Sequence, residues 1–211
     1  MKRLKKFIFA IAGLMVCLNG IAVPTQKDLT QDEGPRAEKF IQELGDKGIK
    51  TLTGKGLTKI ERQKKFEEFF IGSFDYNRIG KFVLGRFRRE VMSADMKQYL
   101  GLFKKMVVRV YAARFGEYND EKFKASGFRI VDKKVDTVIV SSKIIRPNDS
   151  KIAIEWQMYQ DKSGDFKIFD VVVEGVSMAL TQRSEFASIL QKDGIKGLIT
   201  ELQTQKNKSA K

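Results

Sequence analysis

The sequence predicts an α+β fold, because helical patterns fill the first half of the chain and strand patterns follow them. Between residues 35 and 115, apolar side chains recur every three or four positions, as they do on one face of a helix. From Phe123 onward the pattern alternates every second residue, as in half-buried strands. Helices followed by consecutive strands predict an antiparallel sheet with helices before and after it.

Four helices precede the predicted strands, and each has a recognisable start. Pro35 suits the first turn of the first helix. Thr58 and Glu61 have the spacing of a capping box at the start of the second. Asp75 is predicted to cap the third helix, which continues past residue 87, and Ser93 is predicted to cap the fourth.

Four short runs then predict an antiparallel meander, because turn residues at 146–150 and 161–165 separate them. On the last run, Phe169, Val171 and Val173 are expected on one face, with Ile168 opposite. The runs are residues 128–131, 135–145, 152–159 and 166–174.

Two closing helices, 181–192 and 195–203, are predicted on either side of a break at Asp193 and Gly194. Residues 206–211 are rich in Lys and polar residues, and we expect a disordered tail there. The remaining chain, residues 23–205, is predicted to form a single domain.

The amino terminus has the three parts of a secretory signal peptide. Residues 1–6 are basic, residues 7–16 are apolar, and Gly20 and Ala22 suit cleavage after Ala22. A membrane anchor is the alternative, but the apolar run is short for a span. Removing residues 1–22 would discard four basic residues and the single Cys, leaving +10 of the formal +14 charge. We expect a periplasmic protein.

Composition excludes several classes of catalytic and metal site. The chain has no His and one Cys, which rules out a Ser-His-Asp triad, a His-ligated zinc site and a four-Cys site. No phosphate loop or dinucleotide fingerprint is present, so we expect no cofactor and no metal. Asp170 and Glu174, expected on one strand face, are the candidate catalytic carboxylates, and their spacing is too wide for a close acid pair. We therefore do not expect an enzyme.

The positive charge needs an interpretation of its own. Basic residues are spread over the whole chain and not gathered with aromatic residues on one element, which argues against nucleic acid as a partner. Attraction to an anionic membrane surface is one explanation, and solubility alone is the other.

Two long segments resemble the MlaC family, also called the toluene-tolerance auxiliary family. Residues 76–88 read YNRIGKFVLGRFR, and after Ser93 comes MKQYLGLFKKMVVRVYAARF. Residues 169–202 read FDVVVEGVSMALTQRSEFASILQKDGIKGLITEL. The resemblance extends over about residues 36–203.

This resemblance implies a nuclear-transport-factor-2-like (cystatin-like) fold, in which a curved antiparallel sheet and helices at both ends enclose an apolar cavity. It implies a periplasmic shuttle that binds phospholipid acyl chains. The implied partners are an outer-membrane lipoprotein–porin complex and the periplasmic ring of an inner-membrane ABC transporter. The implied role is to maintain outer-membrane lipid asymmetry. A related branch is associated with hopanoids, so a hopanoid-type cargo stays open.

The same resemblance implies which side chains line the cavity, although each position is also a plausible core residue. Arg88 and Arg89 depart from the family pattern and would add positive charge at its rim. A basic interaction module with a solid core, or an enzyme using Asp170 or Glu174, are the other hypotheses. The predicted cavity walls are Ile79, Phe82, Val83, Phe87, Phe103, Val107, Tyr111, Trp156, Met158, Val171, Val173, Val176, Met178, Phe186, Ile189 and Leu190.

Overall fold

The computed structural model describes residues 32–54, 56–117, 120–132 and 137–208. The predicted signal peptide at 1–22 lies outside these ranges. Short 3₁₀ helices at Gly85–Arg89 and Phe115–Glu117 follow the third and fourth α-helices. The α-helices are α1 (Glu33–Leu52), α2 (Lys59–Ser73), α3 (Tyr76–Val83), α4 (Ser93–Arg114) and α5 (Met178–Lys208).

Five strands form one antiparallel sheet in the order in which they occur along the chain. The predicted α+β class and the meander are thereby confirmed. The last strand is only two residues long, and it was not predicted. The strands are β1 (Lys122–Asp132), β2 (Thr137–Ile145), β3 (Lys151–Gln160), β4 (Phe166–Val173) and β5 (Val176–Ser177).

Two of the predicted helix caps are confirmed and one is wrong. The Thr58 hydroxyl accepts a hydrogen bond from the Glu61 amide, and the Glu61 carboxylate accepts one from the Thr58 amide. Asp75 accepts a hydrogen bond from the Arg78 amide at 2.9 Å. Ser93 is not a cap, because the helical hydrogen bonding already begins at the Met92 carbonyl and Ser93 lies inside the first turn.

Helix α3 ends at Val83, earlier than predicted. Gly85 adopts a left-handed conformation with φ of 56°, which an α-helix does not accommodate, and the chain continues as a 3₁₀ helix. The other glycine of this segment, Gly80, lies where α3 meets α4: a Cβ there would come within 2.6 Å of Leu100. The Tyr99 hydroxyl donates a hydrogen bond to the Gly80 carbonyl at 3.0 Å. This bond satisfies one of the carbonyls left free at the end of α3.

A β-bulge in β4 overturns the predicted assignment of its faces. Ile168 is opposite Met158 and Asp170 is opposite Gln157, so Phe169 is the extra residue on β4. Because of this extra residue, Ile168 and Val171 both pack into the core between the sheet and α1. Phe169 lies beside Tyr159, with ring centroids 6.2 Å apart.

Helix α1 covers one face of the sheet and also accepts hydrogen bonds from backbone amides of the edge strand β1. The Ala125 amide donates to the Gln42 side chain at 2.8 Å, and the Gly127 amide donates to Glu38 at 2.9 Å. Both amides lie where the register between β1 and β2 shifts. The α1 side chains thus take the place of strand partners at a bulge on an edge strand.

The predicted break between the closing helices is confirmed. Gly194 has φ of 62° and ψ of −163°, and it divides α5 into two helical segments. The second segment continues to Lys208, so residues 206–208 extend the helix where the sequence predicted a tail. Residues 202–208 contain neither Gly nor Pro, which explains the continuation. Among the described helices, none has an apolar stretch of the length that crossing a membrane requires.

Replacing Tyr99 by Phe should destabilise the protein by about 1–3 kcal/mol, because the buried Gly80 carbonyl would lose its partner. Urea unfolding followed by circular dichroism measures this change. Tyr111→Phe is the control, since the Tyr111 hydroxyl makes no hydrogen bond within the described part of the chain. Equal losses for the two variants would contradict the role assigned to Tyr99.

Candidate functional site

Three apolar clusters fill the interior. The helical cluster joins α3, α4 and α5, and Tyr99 and Phe103 at its centre are 0% and 1% exposed. The sheet cluster packs Ala37, Ile41 and Leu44 of α1 against the sheet. The bridging cluster joins the end of α1 to α2 and α4; its buried members are Leu52, Phe66, Phe70, Val108 and Ala112.

The three clusters are connected to one another. Val107 packs against both the helical and the bridging cluster. Phe69 and Phe74 pack against both the bridging and the sheet cluster. A continuous apolar path therefore runs from α5, through α4, to the sheet.

The predicted cavity walls fall into all three clusters. The sheet cluster contains Trp156, Met158 and Val171, and the bridging cluster contains Tyr111 and Val107. The helical cluster contains the largest group, including Val107 again: Ile79, Val83, Phe87, Phe103, Val107, Phe186, Ile189 and Leu190.

Four predicted walls belong to none of these clusters. Phe82 and Val176 are 40% and 52% exposed. Val173 and Met178 are half-buried where the sheet meets the start of α5. The exposed Phe82 ring contacts Arg183, whose guanidinium is 5.4 Å from the ring centroid.

Sequence reasoning did not place several buried residues in this interior. Leu84 and Leu198 are nearly inaccessible members of the helical cluster. The spacing of Leu198 and Leu202 on one helix face was a usable signal for the last helix. Burial raises the pKa of the Tyr99 and Tyr111 hydroxyls, because it disfavours the charged phenolate.

Asp170 connects the sheet to α5. Its carboxylate accepts hydrogen bonds from the Ser177 hydroxyl at 2.5 Å, the Ala179 amide at 3.0 Å and the Val171 amide at 2.8 Å. Ser177 in turn accepts a hydrogen bond from the Leu180 amide in the first turn of α5. These bonds satisfy the free amides at the helix start.

The two candidate catalytic carboxylates do not form a pair. Glu174 has left the strand: it has φ of 49° in the turn between β4 and β5, and its carboxylate accepts a hydrogen bond from the Ala153 amide. The expectation that Asp170 and Glu174 share a strand face is wrong, because β4 ends at Val173 and Glu174 lies in the turn that follows it. Both carboxylates are engaged in holding backbone amides.

An arginine-lined groove lies between the 3₁₀ helix Gly85–Arg89 and α5. It encloses about 260 Å³ and opens onto the helical cluster. We call it the arginine groove. It is lined by Val83, Leu84, Gly85, Arg86, Phe87, Arg183, Ala187 and Leu190.

A second cluster of charged and aromatic groups joins α3 to the sheet. The Tyr159 hydroxyl donates a hydrogen bond to Asp75 at 2.6 Å. The Arg78 guanidinium lies 4.6 Å from the Tyr159 ring and 4.3 Å from the Phe169 ring. Burial and the Asp75 hydrogen bond raise the pKa of Tyr159. All four side chains are partnered with one another, which indicates a structural contact.

Another cavity, of about 560 Å³, lies between α1 and the turn that precedes β4. Arg36, Lys39 and Glu43 line one side, and Asp165 and Lys167 line the other. None of the predicted cavity walls lines it. Its mixed charges do not suit an apolar ligand.

The fold and the interior define an α+β protein whose sheet and helices surround a continuous apolar path with a basic opening. Residues 42–204 match the family model described as MlaC protein, so the chain belongs to the MlaC family.

Proteins similar to this chain include a transport-system binding protein and a solved structure. One is the intermembrane phospholipid transport system binding protein MlaC of Haemophilus influenzae, 25% identical over 127 residues. That match covers 59% of this chain and 58% of the relative's length. The other is the structure of a phospholipid-binding protein from Ralstonia solanacearum in complex with a phospholipid. It superposes with a TM-score of 0.73 at 20% identity, over 83% of this chain and 99% of the other, and it supports the fold.

Gly85→Ala should destabilise the protein by about 1–2 kcal/mol, because a side chain is strained in the left-handed conformation. The added Cβ would also come within 2.8 Å of the Arg183 Nε. Thermal unfolding measures the loss.

Gly101→Ala in α4 is the matched control. An added Cβ meets nothing within 4 Å there, and alanine favours a helix by about 0.5–1 kcal/mol. A Gly85→Ala protein stabilised to the same degree as Gly101→Ala would contradict the strain at residue 85.

Proposed function

We propose that this protein carries phospholipid through the periplasm between the two bacterial membranes, with the acyl chains held in its apolar interior. Membership of the MlaC family carries the proposal, since the match extends from within α1 to within α5. The name of the Haemophilus influenzae relative and the phospholipid in the Ralstonia solanacearum structure support the same cargo. The predicted signal peptide supports the location.

We place the acyl chains along the contact between α4 and α5, from the helical cluster toward β4. Val107 supports this placement because it joins the helical and bridging clusters. Tyr111 is one turn further along α4, and its pKa is raised first by burial and then by the charges of nearby Glu185 and Asp170. A lipid entering here would separate side chains and would break no strand pairing.

The interior must close when lipid leaves. An empty apolar cavity costs about 24 cal/mol per Å³, so one of roughly 500 Å³ would cost about 12 kcal/mol. That is comparable to the whole stability of a domain, about 5–15 kcal/mol. Phe and Met side chains on α4 and α5 can fill the space by changing rotamer, and Met is especially adaptable. The filled clusters are therefore compatible with a carrier.

Carrying lipid requires no chemical step. A diacyl lipid hides roughly 30 methylene and methyl groups, and exposing them to water would cost about 24 kcal/mol. A bilayer hides the same groups, so transfer from membrane to protein can be close to neutral in free energy. Direction then comes from concentration differences or from ATP used by a partner.

Partners follow from the same proposal. We infer exchange with an outer-membrane lipoprotein–porin complex and with the periplasmic ring of an inner-membrane ABC transporter, in support of lipid asymmetry. The charge of +10 outside the predicted signal peptide supports docking to acidic surfaces. Such charge mainly accelerates encounter, and its effect falls as salt rises.

Protein purified from the bacterial periplasm should contain phospholipid, because an apolar interior that exchanges lipid retains it in water. Organic extraction followed by mass spectrometry identifies the cargo. If hopanoid is found in place of phospholipid, the protein would be assigned to the branch of the family that is associated with hopanoids. A protein that contains no lipid and takes up none from vesicles would contradict the proposal.

Val107→Trp should lower lipid content several-fold, because the larger ring would occupy the contact between α4 and α5 where we place the acyl chains. Ile130→Trp is the control: Ile130 is also half-buried but packs against the sheet cluster. Overpacking costs each variant about 1–3 kcal/mol, so stability is measured alongside lipid content. Equal lipid content in two equally stable variants would contradict this placement.

A further inference from the structure

We propose that the arginine groove binds the phosphate group of the phospholipid, with Arg183 and Arg86 as its ligands. This inference rests on the proposed function and assigns the head-group end of the site. Its basis is a pair of positioned guanidinium groups at the mouth of the helical cluster.

Arg183 is held in place from two sides. Its guanidinium lies over the Phe82 ring at 5.4 Å, a contact that attracts a cation to the aromatic face. It also lies against the backbone of Gly85, where a Cβ would approach the Arg183 Nε within 2.8 Å. The glycine therefore makes room for the guanidinium, and its left-handed conformation has a function in the groove.

Arg86 lines the groove from the 3₁₀ helix. Its guanidinium lies 5.1 Å from the Phe87 ring centroid. Within the described ranges, neither Arg86 nor Arg183 has a carboxylate oxygen within 4 Å. Arg88 and Arg89 follow in the same turn and are exposed, as is Glu90, the acid that ends it. The local balance is strongly positive.

The floor of the groove is apolar. Val83, Leu84 and Leu190 line it, and all three are buried members of the helical cluster. A ligand that spans groove and cluster must therefore have an anionic end and an apolar end. A phospholipid has both, joined by a short glycerol unit.

Arginine suits a phosphate better than it suits most anions. Its planar fork donates two parallel hydrogen bonds to a pair of phosphate oxygens. Two guanidinium groups that already rest on aromatic rings lose little freedom when they bind. The groove thus supplies a preformed anion-binding site at the end of the path proposed for the acyl chains.

The test uses the full mature chain, freed of lipid, and calorimetric titration with two probes of equal chain length. One probe is a short-chain phosphatidylglycerol, and the other is the diacylglycerol that lacks the phosphate. Arg183→Gln should weaken phosphatidylglycerol binding about tenfold or more and leave diacylglycerol binding unchanged. Arg86→Gln should act in the same direction.

Arg146→Gln is the matched control, because Arg146 is an exposed arginine at the turn between β2 and β3. It should bind both probes as the wild type does. Circular dichroism and unfolding curves show whether each variant is folded. If Arg183→Gln is unfolded, the Arg86→Gln result decides.

A titration with inorganic phosphate alone tests the phosphate site independently of the proposed carrier function. If the folded Arg183→Gln and Arg86→Gln proteins bind phosphatidylglycerol as tightly as the wild type, the arginine groove is not the phosphate site. The proposed carrier function would be unaffected by this result. A wild type that binds neither lipid would contradict the carrier function. In that case, binding of inorganic phosphate that depends on Arg183 and Arg86 would still support an anion site in the arginine groove. If inorganic phosphate did not bind either, the anion site would be overturned together with the carrier function.

Discussion

The attachment of α5 to the sheet through Asp170 is the constraint on which the interior and the groove both depend. One carboxylate receives hydrogen bonds from Ser177 and from the Ala179 amide, so the strand end and the helix start are held together. Phe186 and Leu190 enter the helical cluster from this helix, and Arg183 enters the groove from it. If α5 began elsewhere, all three side chains would move together.

The opposite wall depends on the close approach of α3 and α4. Gly80 leaves no room for a side chain beside Leu100, and Tyr99 binds the carbonyl of the same glycine. The left-handed Gly85 then turns the chain so that Arg86 and Phe87 face α5. The apolar interior thus lies between α5, which Asp170 attaches to the sheet, and the pair of α3 and α4, which Tyr99 holds together. Lys196 of α5 also pairs with Asp95 of α4 at 2.6 Å, and the rest of the helical cluster is apolar.

The helices and the meander were predictable because they depend on local signals. The capping box at Thr58, the cap at Asp75 and the break at Gly194 each use residues close in sequence. The faces of β4 were not predictable in this way. One extra residue, Phe169, reverses the alternation, and only the pairing of β4 with β3 shows that it is there.

The sequence by itself determined the α+β order of elements, the helix starts at Thr58 and Asp75, and a set of apolar residues that belong inside. It also excluded histidine chemistry, because the chain has none. Only the tertiary structure decided which of those apolar residues meet, and that Arg183 comes to Gly85 from nearly one hundred positions along the chain. Local hydrogen bonds and periodicity act over a few residues, whereas clusters and bulges arise from contacts between distant segments.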